Sequence, residues 1–275
     1  MNLSNVRRTF FKMTLCGLFL CFQGIGAQVH HSYVSEKVWK TVTPYLMPED
    51  HPLKGKLDAL FSQNRVIQNG DSLIRAGFDN KRPEPYTKVI VTRHKEMPGY
   101  IFKLYTDDKK GFKNDPEYLT WVYRARGAKV VRKVIQEQGW EAYFKAPQKW
   151  IYPLPPKPAA KKGHSQKNFI LVEEEMDILP IQTILSKWKN GTMTKDHLEM
   201  LFFIITRTGL RGGCKVDNIP ICKDGRIAFV DTQRNLLWPL PYERMFQVLH
   251  GDMRKHWQAL VKNQSQIPRL DPSKE

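Results

Sequence analysis

One stretch near the carboxyl-terminal end constrains the fold more than any other part of the chain. Residues 219–222 and 226–230 are short apolar runs, and the Asp-Gly pair at 224–225 between them is a strong signal for a two-residue β-hairpin turn. Such a hairpin brings Asn218, which precedes the first run, close to Asp231, which follows the second. Amide and carboxylate oxygens are hard ligands that suit Mg²⁺. The sequence therefore predicts a magnesium and phosphate site at the open end of this hairpin.

The overall charge of the chain favours anionic partners. Its 275 residues are 41% hydrophobic and 26% charged, as in ordinary globular proteins, but its net charge of +17 is unusual. Such an excess attracts nucleotide phosphates, nucleic acid, acidic lipid headgroups or acidic proteins. The lysines are scattered, so no basic run points to nucleic acid in particular. An anionic surface or polymer is one predicted partner, and a merely solvated basic surface is the alternative.

The first 27 residues have the pattern of an export signal. Basic residues precede an apolar run at 13–22, and the small residues of a cleavage site lie at 24–27. We expect a signal peptide over 1–27, which places the mature protein in the periplasm or outside the cell. The apolar run is short for a membrane span, and an uncleaved signal anchor is the alternative.

The cysteines that remain after this segment are predicted to be free. Cys214 and Cys222 lie on either side of a strand-like run. A strand advances about 3.3 Å per residue, so the two sulfur atoms are too far apart for an undistorted disulfide. We therefore expect two buried thiols.

The first half of the chain predicts a β-hairpin followed by a long helix. Residues 28–85 contain interrupting prolines and suggest an irregular N-terminal extension with one or two short helices. The β-rich runs at 88–92 and 100–105 are joined by a Pro-Gly turn, which predicts a hairpin. Asp115 suits the N-cap of a helix that starts at Pro116 and extends to about residue 138.

The second half of the chain predicts strands and helices before and after the hairpin at 219–230. Apolar runs at 150–152 and 168–172 predict strands, and residues 181–189 predict a helix. A further helix begins after the N-cap Thr194 and ends at Gly209. The last predicted elements are a helix at 242–261 and a flexible tail at 263–275.

The order of these elements resembles the protein-kinase-like superfamily over about residues 88–231. The family's catalytic loop reads H-R-D-L-K-x-x-N, and D-F-G follows the next hairpin. The matching stretches here are R-G-G-C-K-V-D-N at 211–218 and Asp231-Thr-Gln. The resemblance implies an α+β, two-lobed protein-kinase-like fold with a small β-rich N-lobe at 86–172 and a reduced, mostly helical C-lobe at 173–262.

The resemblance also implies a nucleotide site. Asn218 and Asp231 would hold Mg²⁺ on the phosphates, and Lys215 would lie near the transferred phosphate. Lys103 matches the strand lysine that contacts the α- and β-phosphates. The implied cofactors are therefore ATP and Mg²⁺.

The acidic run Glu173 to Glu175 occupies the position of the connector between the lobes. In the family, the backbone of this connector pairs with adenine. The resemblance therefore makes Glu173 and Glu175 candidate nucleotide-binding residues.

The chain departs from the family where catalysis is concerned. Gly213 stands at the position of the catalytic aspartate, so the group that receives the substrate proton is missing, and Asp217 beside Asn218 is the candidate replacement. No G-x-G-x-x-G precedes Lys103, and Glu117 is the nearest match to the helix glutamate that pairs with this lysine. Loss of a general base typically lowers the rate by about 10²–10⁴-fold.

Three functions are compatible with these observations. The first is an exported pseudokinase that serves as a binding or regulatory module for a protein partner, with Mg-nucleotide bound weakly or not at all. The second is a divergent active phosphotransferase or nucleotidyltransferase. The third is a basic module for anionic partners that is unrelated to nucleotides.

Overall fold

The computed structural model describes residues 33–79, 89–109, 116–190 and 193–274. The predicted signal peptide and the predicted N-cap Asp115 lie outside these residues. Within them, no helix is long and apolar enough to cross a bilayer.

The described residues form a mixed α+β structure. The strands are β1 (Ile90–Thr92), β2 (Tyr100–Leu104), β3 (Phe144–Lys145), β4 (Lys149–Pro153), β5 (Phe169–Glu174) and β6 (Ile227–Ala228). The α-helices are α1 (Glu36–Val42), α2 (Lys54–Gln63), α3 (Gly70–Arg75), α4 (Glu117–Glu137), α5 (Ile181–Lys189), α6 (Lys195–Thr208) and α7 (Gly251–Lys262). Short 3₁₀ helices include Arg211–Cys214, Val216–Asn218 and Tyr242–Gln247.

The main sheet is antiparallel and has the strand order β1-β2-β5-β4, which confirms the predicted β1–β2 hairpin. Its register places Lys103 of β2 opposite Leu171 of β5. Glu173 of β5 lies opposite Ile101 of β2 and Lys149 of β4. Side chains two residues apart, and those directly opposite, share one face of a sheet. Lys103, Lys149 and Glu173 therefore project from the same face.

The N-terminal extension is more regular than the sequence predicts. Helix α1 ends before Pro44, and helices α2 and α3 follow Pro52, so the prolines interrupt none of the three. Leu57 and Phe61 of α2 and Leu73 of α3 pack with Phe102 and Val172 on one face of the main sheet. The extension is therefore part of the hydrophobic core.

Helix α4 packs on the opposite face of the sheet and closely approaches the segment after Asp231. Its N-cap is Pro116, one residue later than predicted. A Cβ at Gly127 would lie 2.0 Å from the carbonyl oxygen of Thr232. The Thr232 hydroxyl donates to the carbonyl oxygen of Arg124 at 2.7 Å. Gly127 weakens the helix pattern, but its missing side chain allows this approach and so places Arg124 beside Asp231.

The predicted helix at 181–189 and the ends of the next one are confirmed in α5 and α6. Thr194 is the N-cap of α6, and Gly209 ends it with a φ of 59°. The single helix predicted at 242–261 is wrong, because the chain forms the 3₁₀ helix Tyr242–Gln247 and then α7. Gly251, with a φ of 51°, lies at the junction and interrupts the helical path.

The tail after α7 is docked rather than extended into solvent. Ile267 and Leu270 pack against the C-terminal hydrophobic cluster. The Leu270 amide donates to the carbonyl oxygen of Arg207 at the end of α6, at 2.9 Å. These apolar residues are too widely spaced to give a sequence pattern, so the sequence does not reveal these contacts.

The C-terminal hairpin forms as predicted, but its loop has one more residue. The Cys222 amide donates to the carbonyl oxygen of Arg226 at 2.8 Å, which leaves 223–225 as the loop. The last loop residue is a glycine with a φ of 85°, as three-residue hairpins require. At the open end, the Val230 amide donates to the carbonyl oxygen of Asn218 at 3.0 Å. Strand β6 also pairs in parallel with β3.

The expectation for the cysteines is confirmed. Cys214 and Cys222 are both free and buried. Burial raises the pKa of the Cys214 thiol to about 12. Residues Tyr33–Glu275 form one compact unit, and their division into two lobes stays a prediction.

Candidate functional site

A buried cluster of charges lies on the face of the sheet that α4 covers. The Lys103 Nζ lies 2.7 Å from Oε1 of Glu173, and the Lys149 Nζ lies 2.9 Å from its Oε2. Both lysines also donate to the carbonyl oxygen of Val230, at 3.4 and 2.8 Å. The three charged side chains are at most 8% exposed. The cluster therefore ties the sheet to the residue that precedes Asp231.

The two lysines keep Glu173 ionised. Burial raises the pKa of Glu173, but the charges and hydrogen bonds of Lys103 and Lys149 outweigh it and hold the pKa below its usual value. Burial lowers the pKa of Lys149 to about 8, and Glu173 offsets only part of this shift. The partner of Lys103 is thus the strand residue Glu173.

Glu117, the nearest sequence candidate for a helix partner of Lys103, has another partner. The Glu117 carboxylate at the start of α4 lies 3.8 Å from the Lys167 Nζ. Glu117 is therefore not the partner of Lys103, because the first turn of α4 lies too far from the middle of the helix, where the residues that approach the cluster are located.

Asp231 is paired with an arginine. The Arg124 Nη1 donates to Asp231 Oδ1 at 2.7 Å, and the Asp231 side chain remains 39% exposed. Burial raises the pKa of Asp231, but Arg124, Lys103 and Lys149 hold it below its usual value. The carboxylate is therefore ionised and neutralised within the chain.

The hairpin brings Asn218 and Asp231 to one pocket of about 300 Å³, as the sequence predicts. The Asn218 Nδ2 donates to the carbonyl oxygen of Gly212 at 3.1 Å. A Cβ at Gly212 would lie 3.0 Å from the Asp231 carbonyl oxygen and 3.2 Å from that Nδ2. The glycine therefore allows the loop to pass close to both residues.

The donors in this pocket do not fit Mg²⁺. Asp231 is its single carboxylate among the described residues, and Arg124 already holds one oxygen of it. A guanidinium at 2.7 Å places positive charge where the metal would bind. Within the part of the chain described, no group of three His, Cys, Asp or Glu side chains gathers to hold an ion.

The position of the missing catalytic aspartate faces the core. Gly213 is buried, and a Cβ there would lie 2.5 Å from Cγ2 of Ile205 in α6. A side chain at this position would enter the hydrophobic cluster instead of the pocket. The loop therefore lacks both the carboxylate and the direction that a general base would need.

Lys215 and Asp217 are exposed on the same loop, but only Lys215 lines the pocket of Asp231. Lys215 lines the pocket of Asp231 and also a neighbouring one of about 410 Å³. Asp217 lines only the neighbouring pocket. The candidate replacement base is therefore separated from Asp231.

The acidic connector is largely committed to internal contacts. Glu174 ends β5, and its amide donates to the carbonyl oxygen of Gln148 at 3.0 Å. The amide of Glu175 donates to the carbonyl oxygen of Gly99 at 2.8 Å, and its carboxylate accepts from Nε of Arg93 at 2.7 Å. These two amides are not free to pair with a nucleobase.

The predicted site residues fall in two adjacent pockets. Lys103, Glu173 and Glu175 line a pocket of about 320 Å³ at the edge of the sheet. Asn218, Asp231 and Lys215 line the pocket at the hairpin. Val230 and Asp231 are neighbours in the chain but line different pockets.

Sequence reasoning missed the two basic residues that neutralise the carboxylates. Arg124 has a detectable signal, since it shares the spacing of the buried residues Trp121, Ala125 and Ala128 and so lies on the buried face of α4. Lys149 gives no such signal, because its pairing with Glu173 depends on strand register.

Comparison with known proteins gives two structural matches of interest. Neither protein-family models nor curated proteins match the chain. The crystal structure of the Rio2 kinase–ADP/Mg²⁺–phosphoaspartate complex from Chaetomium thermophilum matches with 13% identity and a TM-score of 0.35, over 71% of this chain and 58% of that one. The Rv3197–erythromycin complex from Mycobacterium tuberculosis matches with 12% identity and a TM-score of 0.30, over 75% of this chain and 56% of that one. The chain thus spans less than two thirds of either structure.

Proposed function

We propose that this chain is an exported kinase-like protein that serves as a binding module and does not transfer phosphate. The observation that carries the proposal is the 2.7 Å ion pair between Arg124 and Asp231. It neutralises the carboxylate on which a kinase-like site depends for its metal. The position of Gly213, against Ile205 in the core, supports the absence of a general base.

The kinase-like part of the proposal rests on the order of elements. A hairpin carrying Lys103 is followed by α4, β4 and β5, then by helices, a loop and the hairpin that ends on Asp231. Export is proposed from the pattern of residues 1–27. Outside the cytoplasm ATP is scarce, which agrees with a module that does not depend on it.

The test is Mg-ATP binding by calorimetry, together with transfer of label from γ-labelled ATP. We expect no magnesium-dependent binding and no transfer with the wild-type chain. Binding or transfer that is lost in both Asp231→Asn and Asn218→Ala, with each variant folded by circular dichroism, would refute the proposal. Two variants are needed because Asp231→Asn removes the partner of buried Arg124.

The same experiment tests the active phosphotransferase alternative. The exposed Asp217 has no hydrogen-bond or ion-pair partner among the described residues, so its replacement leaves the fold intact. Transfer that disappears in Asp217→Asn would make this residue a base and replace the proposed function with the alternative.

A further inference from the structure

The pocket at the hairpin carries more positive charge than the chain balances. The cationic side chains that line it are Arg211, Lys215, Arg234 and Arg244, and all four are exposed. Within the described ranges, none of them makes a hydrogen bond or an ion pair through its side chain. Asp231, the one carboxylate that the described residues contribute to the lining, is already held by Arg124. Four cations therefore line one cavity, and none of them is paired with a carboxylate among the described residues.

The backbone holds two of these cations side by side. The Arg211 amide donates to the carbonyl oxygen of Arg234 at 2.9 Å. Next to it, the Leu237 amide donates to the carbonyl oxygen of Gly209 at 3.1 Å, and a Cβ at Gly209 would lie 2.6 Å from that amide nitrogen. The two segments are thus closely packed, so the backbone positions of the two arginines stay adjacent. Unpaired like charges that extend from adjacent backbone positions indicate a site that an anion completes.

The lining specifies the kind of anion. Guanidinium groups bind phosphate oxygens through paired, charge-assisted hydrogen bonds. The volume of about 300 Å³ fits a small molecule, and the lining side chains are polar or charged, so the pocket surface is mostly polar. A diphosphate group matches both the volume and the four cations.

We infer that this pocket binds a small anion with a diphosphate group directly, without a magnesium ion. The inference rests on the proposed function, since the ion pair between Arg124 and Asp231 is what removes the metal from the site. Arg211 and Arg234 bind the phosphate oxygens, and Lys215 and Arg244 contribute further positive charge to the lining. The diphosphate belongs either to free pyrophosphate or to a phosphate ester.

The test is calorimetric titration of the full chain with inorganic pyrophosphate in EDTA, with ADP as a second titrant. We expect binding that Arg211→Gln/Arg234→Gln weakens at least about tenfold, since the double variant removes the charge-assisted hydrogen bonds of both arginines to the phosphate oxygens. The control Lys189→Gln/Lys262→Gln removes the same charge from exposed positions elsewhere and should change the Kd less than about twofold. Tighter binding of ADP than of pyrophosphate identifies an ester as the ligand, and the reverse order identifies the free anion.

Two results would overturn the inference. One is the absence of pyrophosphate and ADP binding by the wild-type chain, which leaves the proposed function standing. The other is equal weakening in both double variants, which means diffuse attraction by the net charge. Binding that requires added Mg²⁺ and is lost in Asp231→Asn would instead refute the proposed function.

Discussion

Positive charges are buried and paired in the charge cluster, but exposed and unpaired in the open pocket beside it. At the sheet, Lys103 and Lys149 are at most 8% exposed, and each is paired with Glu173. At the hairpin, Arg211 and Arg234 are exposed and lack ion-pair partners among the described residues. A buried charge must be paired because desolvation costs several kcal/mol, whereas a solvated one need not be. The first group is therefore committed to contacts within the fold, and the second remains available to a ligand.

The largest expected effect is at the centre of the cluster. Glu173→Gln leaves two buried lysines without their counter-charge, and we expect the free energy of unfolding to fall by about 3–5 kcal/mol. Urea denaturation measures it. The exposed control Glu141→Gln should change the value by less than about 0.5 kcal/mol. A loss below about 1 kcal/mol for Glu173→Gln would mean that the cluster does not stabilise the fold.

An intermediate effect on stability is expected from Glu117, a buried carboxylate whose neighbouring positive charge does not fully offset its burial. Burial raises the pKa of Glu117 to about 7, and Lys167 at 3.8 Å offsets it only in part. The folded state therefore binds this proton more tightly than the unfolded state does. The stability it contributes is full below the unfolded pKa and is lost as the pH rises through about 7.

Denaturation of the wild type and Glu117→Gln across this range tests the expectation. The wild type should lose about 2 kcal/mol more than the variant between about pH 5 and pH 8. The variant is the control, because glutamine has the same shape and does not titrate. Parallel pH profiles would show that Glu117 is ionised at neutral pH, as Glu173 is.

The smallest expected effect is in the open pocket. Arg211→Gln/Arg234→Gln should change the free energy of unfolding by less than about 0.5 kcal/mol, since it removes exposed and unpaired charges. Arg124→Gln, which removes a buried partner of Asp231, should cost more. Equal losses in the two variants would mean that the pocket arginines are structural.

Much of the fold could be predicted because its signals are local. The turn glycine at 225, the N-cap Thr194 and the helix end Gly209 act within a few residues of the chain, and the structure has all three. The contacts of the tail did not follow from the sequence, because Leu270 is held by distant parts of the chain, including the hydrogen bond to Arg207. The site was predicted in part: Asn218 and Asp231 share a pocket, but their charged neighbours did not follow from the pattern.

The sequence by itself determined the C-terminal hairpin and the positions of Asn218 and Asp231 at its open end, because a turn and two short strands need only neighbouring residues. Tertiary structure alone decided what those residues face. Arg124 and Asp231 are 107 positions apart, and their ion pair depends on the close approach that Gly127 allows between α4 and Thr232. Ion pairs form between charges that packing brings together, and no local pattern records which charges those are. Where the sequence predicts a metal ligand, the structure has a carboxylate paired with an arginine, beside a basic pocket.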